Sequence, residues 1–233
     1  QDKTRRTVSV SRCGIGGLSR IATTWTGDNN TSFKDFRYNH YMAMTMSLSG
    51  FFNFGQDIGG FAGERPGREL FMRWIQYGIF TPRFVLHSWN PDGISTMPWL
   101  YEDMIPYVKK LFDLRKQFIP YLYNEMYRSA KENMPIIYPV FLEHPGYDTE
   151  SDLFYFGKDI LAAPGFDEGK EGVEVCLPEN DIKGRTSYGD DAKVSGKITF
   201  TGTAYDEHSL KSLSFSFGKA GNYPFEKVTM AEY

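Results

Sequence analysis

The stretch Trp25-Thr26-Gly27-Asp28-Asn29-Asn30 sets one carboxylate beside an indole, a glycine and two amides, just after a run rich in β-formers. A carboxyl group held against an aromatic wall is poorly solvated as an anion and keeps its proton closer to neutrality. Such an aspartate can protonate a leaving oxygen, the acid half of glycoside hydrolysis. The same residues also read as an Asx-turn, or as the N-cap of a helix starting near Ser32. Further along, Asp57 precedes Gly59-Gly60-Phe61, and His87 opens the run His87-Ser88-Trp89-Asn90. Asp57 reads either as a ligand-binding carboxylate or as a turn residue. His87 reads either as a ligand-binding group or as a hydrogen-bonded strand-end histidine.

These residues need elements to position them. Alternation of apolar and small polar residues predicts a strand over 7–11, followed by a loop from Gly14 through Trp25 to Asp28. Phe33, Phe36, Tyr41, Met44 and Leu48 predict a helix over 32–48, stopped by Ser49-Gly50. A short apolar strand over 51–55 leads into a loop carrying Gln56, Asp57 and Phe61. Leu70, Phe71, Trp74, Ile75 and Gly78 share one face of a helix over 68–80, and a strand over 83–86 brings His87 to its C-terminal end. A long helical region over 98–133 is expected to kink or break at Pro106 and Pro120. Strand, loop and helix thus recur, with the polar residues on the loops that follow the strands. That is the order of a parallel α/β barrel, whose chemistry lies at the C-terminal strand ends. A dinucleotide-binding sheet alternates similarly, but Gly14-Ile15-Gly16-Gly17 has the wrong spacing for its fingerprint. The units are too few to close a barrel, so the fold class is α/β: the last strand–helix units of a partial (β/α)8 TIM barrel, the N-terminal portion lying on polypeptide outside this sequence.

After Pro135 the pattern changes. Short β segments over 136–142, 153–155, 160–163 and 173–177 predict a small antiparallel β domain. From about residue 182 the chain turns polar and Gly-rich, and alternation over 197–204 and 210–217 predicts a β-sandwich-like hairpin tail, possible part of a separate accessory module. The expected division is therefore 1–134, 135–181 and 182–233.

Of the 233 residues, 41% are hydrophobic and 16% aromatic, enough for a sizeable core; the aromatic share suits stacking on sugar faces and ordinary packing alike. A net charge of −3 without a basic stripe speaks against nucleic acid as a partner. No apolar run is long enough to span a bilayer, so no membrane is expected, and the opening run lacks the apolar segment of a signal peptide. Cys13 and Cys176 lack metal-ligand spacing and read as two buried thiols. Asp148, Glu150 and Asp152 lack the glycine and terminal glutamate of a calcium loop and read as a solvated turn. No metal or cofactor is expected. Trp74 and Trp99 read as core, Met42, Met44 and Met46 as helix packing, and His40, His144 and His208 as surface or structural.

Taken together, these runs resemble the catalytic domain of glycoside hydrolase family 31, the retaining α-glucosidase and α-xylosidase family. The resemblance rests on Ser11-Arg12 followed by Trp25-Thr26-Gly27-Asp28-Asn29, then Gly55-Gln56-Asp57-Ile58-Gly59-Gly60-Phe61, then Arg73-Trp74, Phe80-Thr81-Pro82 and His87-Ser88. Leu114-Arg115, Pro120-Tyr121-Leu122-Tyr123 and residues 156–164 continue it, so that it covers roughly residues 5–179. The resemblance implies that Asp28 is the general acid/base and that Arg12 lies at the preceding strand end, near the sugar of the −1 subsite. It implies that Trp25 walls the pocket, that Asp57 and His87 hydrogen-bond that sugar, and that Phe61 packs at the rim. The substrate implied is an oligosaccharide or glycan, cleaved by double displacement without a cofactor. Three departures stand out. The nucleophile of this family lies on an earlier strand, and nothing before Ser11 matches it, so the isolated chain is expected not to turn over. Phe33 stands where tryptophan is common, and Trp89 follows His87 closely. The His87-Ser88-Trp89-Asn90 run resembles bacterial members of α-galactosidase or α-N-acetylgalactosaminidase type. Finally, the usual tail of the β domain is not evident after Leu177-Pro178-Glu179.

Overall fold

The computed structural model describes residues 8–12, 14–170 and 172–178, together with the backbone of three later strand segments, 183–185, 191–193 and 196–200. Cys13, His208 and the second expected hairpin strand, 210–217, lie outside the described residues.

The first layer is a parallel sheet, β1 (Thr24–Trp25), β2 (Phe54–Asp57) and β3 (Arg83–Val85), in that spatial order. Helices α1 (Phe33–Leu48) and α2 (Arg68–Gly78) make its crossovers. Ser32 begins α1 by accepting a hydrogen bond from the Asp35 amide at 2.9 Å, with Asp35 in the positive first turn. Two expectations shift here. Residues 8–11 contribute a single parallel bridge, Val10 to Thr23, instead of a strand, and the expected loop contains β1. The apolar strand expected over 51–55 sits later, so Gln56 and Asp57 belong to β2.

Helix α3 (Ile105–Glu132) packs behind the sheet and runs through Pro120 unbroken, while Pro106 lies in its first turn. A proline in the first turn removes only a donor that the helix leaves unused. Pro120 does cost a bond to the carbonyl of Lys116, but both residues face solvent, where water can take that carbonyl. Residues 98–104 form two short 3-10 turns, and Trp99 stands exposed instead of entering the core. Trp74 is fully buried, stacks on Phe36 at 4.9 Å and donates its indole N–H to Gln56 Oε1 at 2.8 Å.

Strands β4 (Ile137–Pro139), β5 (Phe154–Phe156) and β6 (Ile160–Ala162) form an antiparallel sheet. Its two faces serve two cores. Ile137, Phe154, Phe156 and Ile160 join the barrel helices, while Tyr138, Tyr155 and Leu153 pack with Val175 of β7 (Val173–Leu177). Strand β7 pairs antiparallel with β10 (Gly196–Phe200), so main-chain bonds tie the start of the first expected hairpin strand to the β domain. The remaining segments β8 (Lys183–Arg185) and β9 (Asp191–Lys193) pair with each other. Cys176 is a free thiol and is exposed, contrary to the buried position expected. Asp148 Oδ1 accepts from the Glu150 amide, as a solvated turn would have it, and Asp152 pairs with Arg37.

Arg73 of α2 holds the seam between the layers. Its guanidinium donates to the carbonyls of Gly165, Asp167 and Lys170 at 3.2, 2.7 and 2.6 Å. It also pairs with Glu69, which accepts from the Gly169 amide, and its Cζ lies over the Phe33 ring.

His40 sits in the same seam, fully buried among Tyr41, Tyr77, Phe154 and Phe166, with Nδ1 3.3 Å from the Tyr77 hydroxyl and Nε2 without a partner. Burial, aided by the nearby Arg37 charge, pulls its pKa from 6.5 down to about 3. Protonation is therefore easier in the unfolded chain. Stability is complete above the unfolded value and falls as pH drops from about 6.5 toward 3, approaching a slope of roughly 1.4 kcal/mol per pH unit. The difference in urea-unfolding stability between wild type and His40→Phe is expected to fall with this slope as pH drops across that window.

Candidate active site

Four chain segments run side by side in parallel register. Ser11 N donates to Thr23 O, Thr24 pairs with Phe54, Gly55 with Arg83, and Asp57 with Val85. Their C-terminal ends carry Arg12, Asp28, Asp57 and His87 respectively. The pairing continues past the strand ends. Phe61 N and Ala62 N donate to Asn29 O at 2.8 and 3.0 Å, Thr31 N to Ala62 O at 3.0 Å, and Trp89 N to Phe61 O at 2.7 Å. The loops are thus held as firmly as the strands that launch them. Gly60 makes their approach possible: its φ is +88°, and a Cβ there would lie 2.7 Å from the Thr31 Cα.

Asp28 is not the helix cap, a role taken by Ser32. Its Oδ2 accepts from Arg12 Nη2 at 2.7 Å, with both side chains partly open to solvent. A buried polar chain fixes the loop beneath it: Thr26 Oγ1 donates to Asn39 Oδ1 at 2.5 Å, and Asn29 Nδ2 donates to Thr26 Oγ1 at 2.9 Å and Gly27 O at 3.0 Å. Gly27 turns the chain there with φ of +92°.

Asp57 ends strand β2 and also opens the turn into Gly59-Gly60, its carbonyl accepting from the Gly60 amide at 3.0 Å. Its side chain is buried and Oδ2 has no hydrogen-bond partner. Burial pushes its pKa from 3.8 up to about 6, opposed by the charges of His87 and Arg83 and reinforced by the Asp28 carboxylate. The two aspartates therefore face one electrostatic environment. His87 is exposed, and its ring lies 5.2 Å from that of Phe61. The indole of Trp25 carries the Arg83 guanidinium at 5.8 Å, whereas the direct partner of Asp28 is Arg12. Trp25 Nε1, Asp57 Oδ2 and Arg83 Nη1 are all buried polar atoms without a partner. Such atoms are costly in a finished protein and cluster where a ligand or another segment completes them.

Arg83 escaped the sequence reading, although period-two counting from His87 through Val85 places it on the same strand face. Phe33 packs against the core. Among the described residues no group of three or more His, Cys, Asp or Glu could hold a metal ion, and no helix is long and apolar enough to cross a membrane.

Comparison with known proteins agrees with this geometry. Residues 1–125 match the TIM-barrel domain of glycosyl hydrolases family 31, and residues 133–213 match the C-terminal domain of that family. Alpha-glucosidase 2 of Bacillus thermoamyloliquefaciens is 34% identical over 165 residues, covering 69% of this chain and 21% of the relative. Glucosidase 2 subunit alpha of Saccharomyces cerevisiae is 30% identical over 179 residues, covering 75% and 19%. The crystal structure of a Tris-bound glucosidase II alpha subunit superposes with a TM-score of 0.75 at 28% identity, covering 86% of this chain and 22% of that one. The chain thus spans about a fifth of the length of these relatives.

The raised pKa of Asp57 has a cost that can be measured. The unfolded chain ionises this group more readily, so stability is complete below pH 3.8, falls as pH rises toward about 6, and is level above. Asp57→Asn is expected to raise stability at pH 7 by roughly 1–3 kcal/mol and to leave it unchanged near pH 3.5. Asp28→Asn is expected to lower the Asp57 titration midpoint, read by carboxyl-carbon NMR.

Proposed function

This chain belongs to glycosyl hydrolase family 31, and on that premise we propose that it carries the acid/base half of a retaining α-glycosidase acting on O-glycosidic bonds of oligosaccharides or glycans. The observation that carries the reading is the arrival of Asp28, Asp57 and His87 on neighbouring ends of parallel strands, with Asp57 and Asp28 in one field. Asp28 donates the proton to the departing glycosidic oxygen and later takes one from the attacking water. Its partial exposure and its salt bridge to Arg12 suit a group that must reach a ligand and return to a fixed place. Asp57 and His87 hold hydroxyls of the sugar being cleaved. Phe61 and Trp25 form the apolar boundary, and Arg12 orients the Asp28 carboxylate.

Retention requires a second carboxylate roughly 5 Å from the acid, attacking the anomeric carbon from the other side. We assign that nucleophile to a barrel strand outside these residues, within the N-terminal portion of the barrel. In this reading residues 1–134 form the C-terminal part of the barrel, 135–181 the small β domain and 182–233 the β-rich tail. By itself the chain keeps sugar contacts and lacks turnover, which makes it a carbohydrate-binding fragment in isolation. One homologue named above is an alpha-glucosidase and another a glucosidase subunit, and they support an α-glucosidase-like specificity. The likeness of the His87-Ser88-Trp89-Asn90 run to bacterial members leaves α-galactosidase or α-N-acetylgalactosaminidase specificity as the alternative that a substrate panel decides.

In the full-length protein, Asp28→Asn is expected to reduce hydrolysis of alkyl glycosides and disaccharides by about 10²–10⁴-fold, with a smaller loss on aryl glycosides that depart without a proton. Equal losses on both classes count against the acid role. A carboxylate-reactive cyclitol epoxide is expected to label the full-length protein and to leave the 233-residue chain unmodified. Labelling of the short chain, read by mass spectrometry, would place the nucleophile within it.

A further inference from the structure

Trp89 is 74% exposed, yet its backbone is tied to the neighbouring loop by its amide, which donates to Phe61 O at 2.7 Å. Burial alternates residue by residue from His87 to Asn90: His87 and Trp89 lie on the open face, Ser88 and Asn90 on the inner one. The inner face is locked. Ser88 Oγ donates to Asn90 Oδ1 at 2.8 Å and accepts from Thr96 N at 2.7 Å. Thr96 Oγ1 donates to Asn90 Oδ1 at 3.0 Å, and Asn90 Nδ2 donates to the Gly63 carbonyl at 3.1 Å. On the outside, Arg65 pairs with Asp92 at 2.5 Å, tying the same two loops a second time. An indole left in water on so rigid a mount forfeits the burial it would gain by folding inward.

Its position tells what the mount is for. Asn30, Ala62 and Trp89 form one row of parallel bridges across three loops. Asp28, Asp57 and His87 lie earlier on the same three segments, so the Trp89 row is the next one outward. A sugar held by Asp57 and His87 sends its glycosidic oxygen toward Asp28, and whatever that oxygen carries projects outward, to the level of Trp89. We infer that Trp89 is a stacking platform for the leaving-group sugar, a neutral pyranose ring whose C–H face lies against the indole. This deepens the proposed function and rests on Asp28 being the acid. A ring stacked on a fixed indole loses little conformational freedom of the protein, so its binding contributes to orienting the scissile bond.

The test compares a disaccharide, the best from a panel of α-linked pyranoses, with the matching glycosyl fluoride, which has no leaving-group sugar. In the full-length protein, Trp89→Ala is expected to lower kcat/KM for the disaccharide by about tenfold or more, mostly through KM, with Trp89→Phe restoring most of it. The fluoride is expected to stay within about twofold of wild type. Losses of equal size on both substrates, or on neither, overturn the platform. Wild-type protein that hydrolyses neither class overturns the functional reading and the platform with it, whereas wild-type turnover with an unchanged ratio in the variant overturns the platform alone.

Discussion

Main-chain hydrogen bonding that does not stop where the strands stop is the constraint on which this site depends. A parallel sheet normally delivers its loops and leaves them to fend for themselves. Here the carbonyl of Asn29 accepts from both Phe61 and Ala62, and the carbonyl of Phe61 accepts from Trp89. Three loops therefore inherit the register of β1, β2 and β3. The side chains they carry do not need contacts with each other to be placed. That matters for a group such as Asp28, whose side chain pairs with Arg12 alone among the described residues and is partly open to solvent.

Beneath this lattice the site is electrostatically unfinished. Asp57 is buried with an oxygen unpaired, and Arg83 and Trp25 each bury a donor without an acceptor. A fold optimised for stability alone would pair or remove such groups. Among the described residues these three lie on neighbouring strands, where ligand or neighbouring polypeptide can supply what is lacking. His40 is a different case. It is just as buried, but it lies between the two layers, and its neutral ring serves as packing.

Much of this was legible in the residues. The bounds of α1 and α2 follow from the Ser32 cap and from apolar spacing, and Asp28, Asp57 and His87 were placed after strands because polar residues interrupt apolar runs there. What escaped has physical reasons. Strand β1 is only Thr24 and Trp25, and nothing local makes them extended; they are a strand because Phe54 and Gly55 lie beside them. Arg83 reads as a solvent-facing residue because it is an arginine in a short strand, although its period-two step from His87 marks the shared face; the structure sets it over Trp25. Trp99 was misplaced because its apolar neighbours suggest a helix face where the chain makes 3-10 turns. The expected kink or break at Pro120 does not end α3, because an exposed carbonyl is cheaply hydrated.

The grip of Arg73 on residues 165–170 bears on how this family can diversify. The guanidinium reads three carbonyls and the loop's identity never enters the bargain. The exposed side chains of Glu168 and Lys170 are therefore free to vary without touching this contact, whereas Phe166 is buried against Phe36 and His40 and Gly169 needs its φ of +70°. The arginine itself enjoys no such latitude, because a lysine concentrates its donors at one point and cannot span acceptors arrayed along a planar fork. Variation is expected at the exposed loop positions and constancy at Arg73 and Phe166.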